Sequence, residues 1–418
     1  MKQVLIFLIA ILISLQVSAQ DEAYARKVLE KLTSPAMKGR GYVKHGDQKA
    51  AGYIARQFKK NNLQSFGDHY FQSYSFPINT LPGKIKVKVD GMKLKPGIDY
   101  VVSSSTPSMV GEYELINAPD YVYNDSTFEI YMKDMKAENS FLVIRGSFKN
   151  HYGKSIKGVK GVIELSDKNP WWHVSNADQV ATTCWIKMKN EYFPEDVKSI
   201  FLDIENEFIP SYPTQNVIAI VKGKSDTNNY IVFAAHYDHL GMMGRKTYFP
   251  GANDNASGTA MLLDLAAYYG KTENQPEKSI VFMAFSGEEA GLHGSTYYAD
   301  HPLFPLEMID FLINLDMVGT GSDGITVVNG EAYKDVMDDL QSINDQFNYV
   351  PEIKARGEAC NSDHCPLYNK GVKSVFIYTR GHEQVGYHTV FDTSKDFPFT
   401  IYDGLFRLLT TYVNQIDD

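Results

Sequence analysis

The sequence predicts an α/β fold: a mostly parallel mixed sheet flanked by helices, interrupted by an inserted, mainly β domain. Three observations carry that prediction. After Pro213, apolar β-rich runs alternate with amphipathic helical patterns, the order that builds a parallel sheet covered on both faces. From about Pro82 to Pro210 the texture changes to short alternating strands punctuated by Pro, Gly and Asn-Asp. Three of the later apolar runs end in imidazole or carboxylate, at the sheet edge where open α/β folds bind ligands.

Residues 1–19 stand apart. Lys2 supplies a positive start, Val4 to Leu15 an apolar run, and Val17-Ser18-Ala19 a small-residue cleavage pattern, which together read as an export signal. The mature protein is therefore expected to be periplasmic or secreted. No later stretch is long and apolar enough to cross a bilayer, so no stable membrane insertion is expected.

The rest of the chain divides by texture. Ala25, Val28, Leu29 and Leu32 recur at helical spacing, as do Ala50, Ile54, Ala55 and Phe58. Residues 20–81 and 211–418 are expected to form one domain and 82–210 the insert. Strands are expected in the insert around Lys84 to Val89, Val101, Tyr113, Phe141 and Val162. After it they are expected around Asn216, Tyr230, Ser279, Phe311 and Ser374, with helices beginning near Ala256, Ala290, Ala332 and Phe397.

With 418 residues, 44% of them hydrophobic, the chain can bury a large core. A net charge of -9 and the lack of a dense Lys/Arg run argue against a nucleic-acid partner. Three cysteines do not make a disulfide framework; Cys360 and Cys365 are close enough in sequence to pair, leaving Cys184 buried and alone.

The chemistry sits at strand ends. His236 and Asp238 follow the run Ile231 to Ala235, Glu288 and Glu289 follow Ser279 to Phe285, and Asp316 follows Phe311 to Leu315. Asp254 precedes a helix in the stretch Gly251 to Gly258, and His388 follows Gly386-Tyr387. Singly, each has an ordinary structural reading: Glu288-Glu289 suits a solvated helix start, Asp316 a cap, Asp254 a turn. Their joint placement at one end of one sheet points to a metal centre, because two His and several carboxylates suit two Zn²⁺ a few Å apart. Adjacent Glu side chains diverge, so one is expected to ligate and the other to act on water as a general base. Asp254, with two oxygens, is the candidate bridge. Asp238 is placed to accept the spare N–H of His236, and Tyr387 to donate to a developing oxyanion. His239, His293 and His364 are expected to play supporting or structural parts.

As a set, HYDH from His236, GANDNASG from Gly251, SGEEAGLHGS from Ser286, NLDMVG from Asn314, NSDHCPLYNKG from Asn361 and GYHTVFDT from Gly386 resemble, in order and spacing, the secreted dinuclear zinc aminopeptidases of peptidase clan MH. The resemblance covers residues 21–80 and 213–418. It implies the zinc-peptidase fold, a protease-associated-type insert and two Zn²⁺ per chain. It implies His236 and Asp316 on one zinc, Glu289 and His388 on the other, and Asp254 bridging both. Glu288 would serve as general base and acid, Asp238 would orient His236, and Tyr387 would polarise the scissile carbonyl. Where some relatives carry an Arg before the Ser-Asp-His motif, this chain has Asn361. The implied activity is removal of N-terminal residues from peptide substrates by a water that Glu288 activates. Glutaminyl cyclisation and carboxypeptidase action on the same fold are the alternatives.

Overall fold

The computed structural model describes residues 21–417 apart from 147, 175–178, 194–195, 225 and 384–385. The expected export signal at 1–19 lies outside the described residues. Eight strands form the central sheet, in the order Phe71–Thr80, Glu207–Val221, Lys278–Phe285, Asp226–His236, Ile309–Leu315, Ser374–Arg380, Gly324–Val328 and Ile353–Arg356. Asp226–His236 runs parallel to both its neighbours, and Ser374–Arg380 runs parallel to Ile309–Leu315. Four adjacent strands therefore present their carboxyl ends along one edge.

The central strand reads as an unbroken apolar run because both its faces are covered. Ile231, Phe233 and Ala235 pack with the helices Glu22–Thr33, Gly46–Lys60, Gly258–Tyr269 and Tyr402–Asp417. Val232 and Ala234 pack with Tyr298 of His293–Asp300 and Leu367 of His364–Tyr368. Two helices start later than their apolar patterns suggest, each for a backbone reason. Leu292 is left-handed at φ 59°, so the helix expected from Ala290 begins at His293 and leaves Glu288 and Glu289 in a loop. Pro398 and left-handed Phe399, at φ 48°, delay the closing helix to Tyr402. No described helix is long and apolar enough to cross a membrane.

Phe71–Thr80 and Glu207–Val221 pair antiparallel, from Phe71 opposite Val217 to Thr80 opposite Glu207. This ribbon carries the chain out of the central sheet and back. Between its strands lies a second sheet of eight strands, all within Ile85 to Ile204. Met109–Asn117, Ala137–Arg145, Val159–Ser166 and Cys184–Lys189 are successive parallel neighbours in it. The helix Asp125–Met132 joins the first two. That helix and the strands Cys184–Lys189 and Ser199–Ile204 were not evident from local pattern. Tyr42, Phe76, Tyr212 and Phe249 pack with Ile85, Tyr100, Val102 and Trp172 in one apolar layer beneath the second sheet.

Asp47, in the first turn of Gly46–Lys60, is fully buried and accepts hydrogen bonds from the Tyr212 (2.7 Å) and Thr214 (2.8 Å) hydroxyls. Burial outweighs those bonds and pushes its carboxyl up to about 7. The native state thus keeps a proton that the unfolded chain loses near pH 4, so this group's contribution is best below about pH 4 and declines until about pH 7. Asp47→Asn is expected to flatten that decline, which urea midpoints of both proteins at about pH 5 and pH 8 would measure.

Candidate metal centre

His236 is the last residue of its strand, Asp316 follows Ile309–Leu315 directly, and Glu288 and Glu289 lie just past Lys278–Phe285. His388 comes from the segment after Ser374–Arg380, and Asp254 from the turn that leads into Gly258–Tyr269. The structure brings all six together, and His236, Asp254, Asp316 and His388 are buried.

Asp254 stands between two imidazoles, with Oδ1 3.5 Å from His236 Nε2 and Oδ2 3.0 Å from His388 Nε2. On one side, Asp316 Oδ1 is 3.4 Å and Glu288 Oε2 3.9 Å from His236 Nε2. On the other, Glu289 Oε2 is 3.2 Å from His388 Nε2. Among the described residues, donor atoms of His236, Glu288 and Asp316 lie within 4.8 Å of one another, as do those of His239, Asp254 and Glu289. His239, expected only in support, thus reaches the centre itself: its Nδ1 is 2.6 Å from Glu289 Oε1. His293 stacks on Phe76 at 4.4 Å between ring centroids, and His364 Nε2 lies 2.9 Å from the Ala359 carbonyl, so both are structural.

At Asp238 both the main chain and the side chain face His236. His236 Nδ1 lies 3.2 Å from the Asp238 main-chain carbonyl, while the Asp238 carboxylate stands 3.7 Å away. That carboxylate also accepts the Glu288 N–H (3.2 Å) on Oδ1 and the Tyr42 hydroxyl (2.8 Å) on Oδ2. Asp238 therefore fixes the main chain at Glu288 as directly as it fixes the ring of His236.

Other groups that sequence reasoning missed hold the frame. The fully buried Arg40 guanidinium donates to the carbonyls of Tyr237 (2.8 Å), Pro250 (2.6 Å), Gly251 (2.8 Å) and Asp254 (3.2 Å). It ties the His236 strand end to the Asp254 turn; burial lowers it only to about 10, so it stays charged. Asp392 accepts the N–H groups of Asn253 (2.8 Å) and Asp254 (3.1 Å). Ser362 donates to Asp316 Oδ2 at 2.9 Å, and Asp316 Oδ1 is buried without a hydrogen-bond partner. The only signal for Asp392 and Ser362 was that they lie inside the resembling segments.

The electrostatics call for cations. Burial would discharge His236, yet Glu288 and Asp316 hold its pKa well above the usual value. Glu289 and Asp254 do the same for His388 against the same burial. Burial, with Asp363, Asp316 and Glu289 adding to it and His236 opposing, keeps the Glu288 carboxyl well above its usual range. Among the described residues, Asp254, Glu288, Glu289 and Asp316 form ion pairs only with imidazoles. Clustered buried carboxylates facing imidazole nitrogens, with one oxygen lacking a hydrogen bond, are a donor set that Zn²⁺ fits.

A cavity of about 680 Å³ opens over the centre. Glu288, Glu289 and His388 line its floor, and Trp171, His173 and Lys187 line it from the second sheet's side. Tyr387 is half exposed here, its ring stacked on His388 at 3.9 Å. The Trp172 main-chain N–H donates to the His388 carbonyl at 2.9 Å, and the His173 ring lies 5.0 Å from that of His388. Asn361 also lines the cavity, in a loop closed by the Cys360–Cys365 disulfide; Cys184 is free and buried.

Residues 216–413 match peptidase family M28. Aminopeptidase YwaD of Bacillus subtilis is 28% identical over 357 residues, which is 79% of this chain and 70% of that protein. A probable zinc metalloprotease of Pyrenophora teres f. teres is 27% identical over 220 residues, 52% of this chain and 43% of that protein. The structure of BSAP, a zinc aminopeptidase from Bacillus subtilis, shares the fold with a TM-score of 0.71 at 23% identity, over 94% of this chain and 95% of that one. The matched segment contains every residue that converges on the centre, from His236 to His388, and over that segment the chain is similar to peptidase family M28.

Proposed function

We propose that this metallopeptidase is an exported dinuclear zinc aminopeptidase that releases N-terminal residues from peptides. The observation that carries two ions rather than one is Asp254, whose separate oxygens face His236 and His388 at 3.5 Å and 3.0 Å. His236 and Asp316 would hold one zinc, Glu289 and His388 the other, with Asp254 shared between them. Zinc, when bound, polarises the scissile carbonyl and makes a water acidic enough to lose a proton near neutral pH.

The chain's own groups do the rest. The Glu288 carboxylate takes the proton from the attacking water and returns it to the leaving amine. Asp238 keeps Glu288 in place through the N–H bond at 3.2 Å. The Tyr387 hydroxyl donates to the oxygen that gains charge as the carbonyl is attacked. His239, against Glu289, keeps that carboxylate turned toward the centre.

The same carboxylates favour a substrate that enters amine first, since a terminal amine or ammonium gains charge-assisted bonds there. Acetylating the amine removes the charge, occupies the lone pair and adds bulk. N-acetyl-leucyl-p-nitroanilide is expected to be cleaved at least about 100-fold more slowly than leucyl-p-nitroanilide at equal zinc and pH. Equal rates would overturn the aminopeptidase reading in favour of an endopeptidase or carboxypeptidase.

A further inference from the structure

We propose that the second sheet supplies a carboxylate-binding subsite opposite the metal centre, built on Lys187, and that the preferred substrates are short peptides carrying a carboxylate two or three residues from the amine end. The proposal rests on the aminopeptidase reading.

Lys187 is 8% exposed, and its ammonium lies over two rings, 4.1 Å from the centroid of Trp171 and 4.2 Å from that of Tyr152. Aromatic faces stabilise a cation but accept no conventional hydrogen bond. Burial works against the Lys187 charge, Glu164 faces it across the strand pair and attracts it, and among the described residues Lys187 closes no ion pair. A buried ammonium whose three donors are not taken up by the carboxylate that attracts it has room for a ligand to complete it.

Its position says which ligand. Lys187 lines the same cavity as Glu288, Glu289 and His388. The path across the cavity runs 4.1 Å from the ammonium to the Trp171 ring and 6.5 Å from that ring to His388. Those two steps together are the greatest separation of the two groups, and an extended peptide advances about 3.3–3.6 Å per residue, so at most about three residues span it. The cavity is also polarised. Among its described lining residues, the acids are Glu288 and Glu289 at the centre, and the basic side chains are Lys149, Lys154 and Lys187 on the second sheet's side. A molecule with an amine at one end and a carboxylate at the other matches that polarity. Two sources supply the carboxylate: the C-terminus of a dipeptide or tripeptide, or the side chain of an Asp or Glu following the residue removed.

The test uses the zinc-loaded full chain. Substrates are leucyl-glycyl-glycine, its C-terminal amide, leucyl-aspartyl-glycinamide and leucyl-p-nitroanilide. The wild type is expected to prefer the free acid over its amide by about 10-fold in kcat/KM, the scale of one charge-assisted bond. If the side chain is the source, the aspartyl amide shows the preference instead. Lys187→Met is expected to bring the ratio of carboxylate-bearing to neutral peptide to about 1, and Lys187→Arg to keep most of it. Equal rates of the wild type on all three peptides would overturn the subsite without any variant. So would a Lys187→Met protein slowed on every substrate with the ratio intact, since that is a Lys187 that only props Trp171. If leucine is not released from leucyl-p-nitroanilide by the zinc-loaded wild type, the aminopeptidase reading has failed and the subsite falls with it.

Discussion

Glu288→Gln is expected to keep its zinc and lose about 10²–10⁴-fold in kcat, the range for removing a general base that must also act as acid. Glutamine has the shape of glutamate, and the backbone at this position is held by the Asp238 carboxylate through an N–H bond that the substitution leaves alone. The amide cannot take a proton from water, so the loss should fall on kcat and largely spare KM. Zinc content and steady-state kinetics on leucyl-p-nitroanilide check it. Near wild-type turnover at full zinc would remove Glu288 from the mechanism. Loss of metal would instead make it a ligand, which its closeness to His236 and Asp316, all within 4.8 Å, makes a fair test.

Asp254→Ala is expected to lower the occupancy of both zinc ions and to reduce activity by more than about 10³-fold. The wild type should hold two ions per chain. A carboxylate shared by two cations would ligate each and offset their mutual repulsion, so its removal should act on both sites at once. Its surroundings should survive the change: Asp392 and Arg40 bind the main chain of the 253–254 segment, not the lost side chain. Elemental analysis after dialysis, beside a melting curve, reads the result. Loss of one ion with the other retained would mean that Asp254 serves a single site.

The donors that converge were legible because each sits at a local boundary. His236, Asp316 and the Glu pair mark the points where apolar strands stop, and a strand buried on both faces announces its end by its first polar residue. The same reasoning reached only part of the role of Asp238. Chain order put it two residues past His236, but whether its carbonyl or its carboxylate reaches the imidazole depends on the path of the turn and on rivals from elsewhere. Tyr42, far away in sequence, and Glu288, from the loop after the neighbouring strand, also donate to the carboxylate. His239 was passed over for a related reason. Its place beside Glu289 is set by the pairing of Asp226–His236 with Lys278–Phe285.

By itself, then, the sequence determined the layering of the catalytic half and the chemistry of its donors, because strand and helix periodicities and side-chain types are local properties. Tertiary structure decided which oxygen faces which nitrogen, that a buried Arg40 braces the Asp254 turn, and that Trp171, His173 and Lys187 line the cavity over the centre. Those outcomes rest on register between strands and on the packing of one sheet against another. Both are long-range, and no short window of sequence carries them.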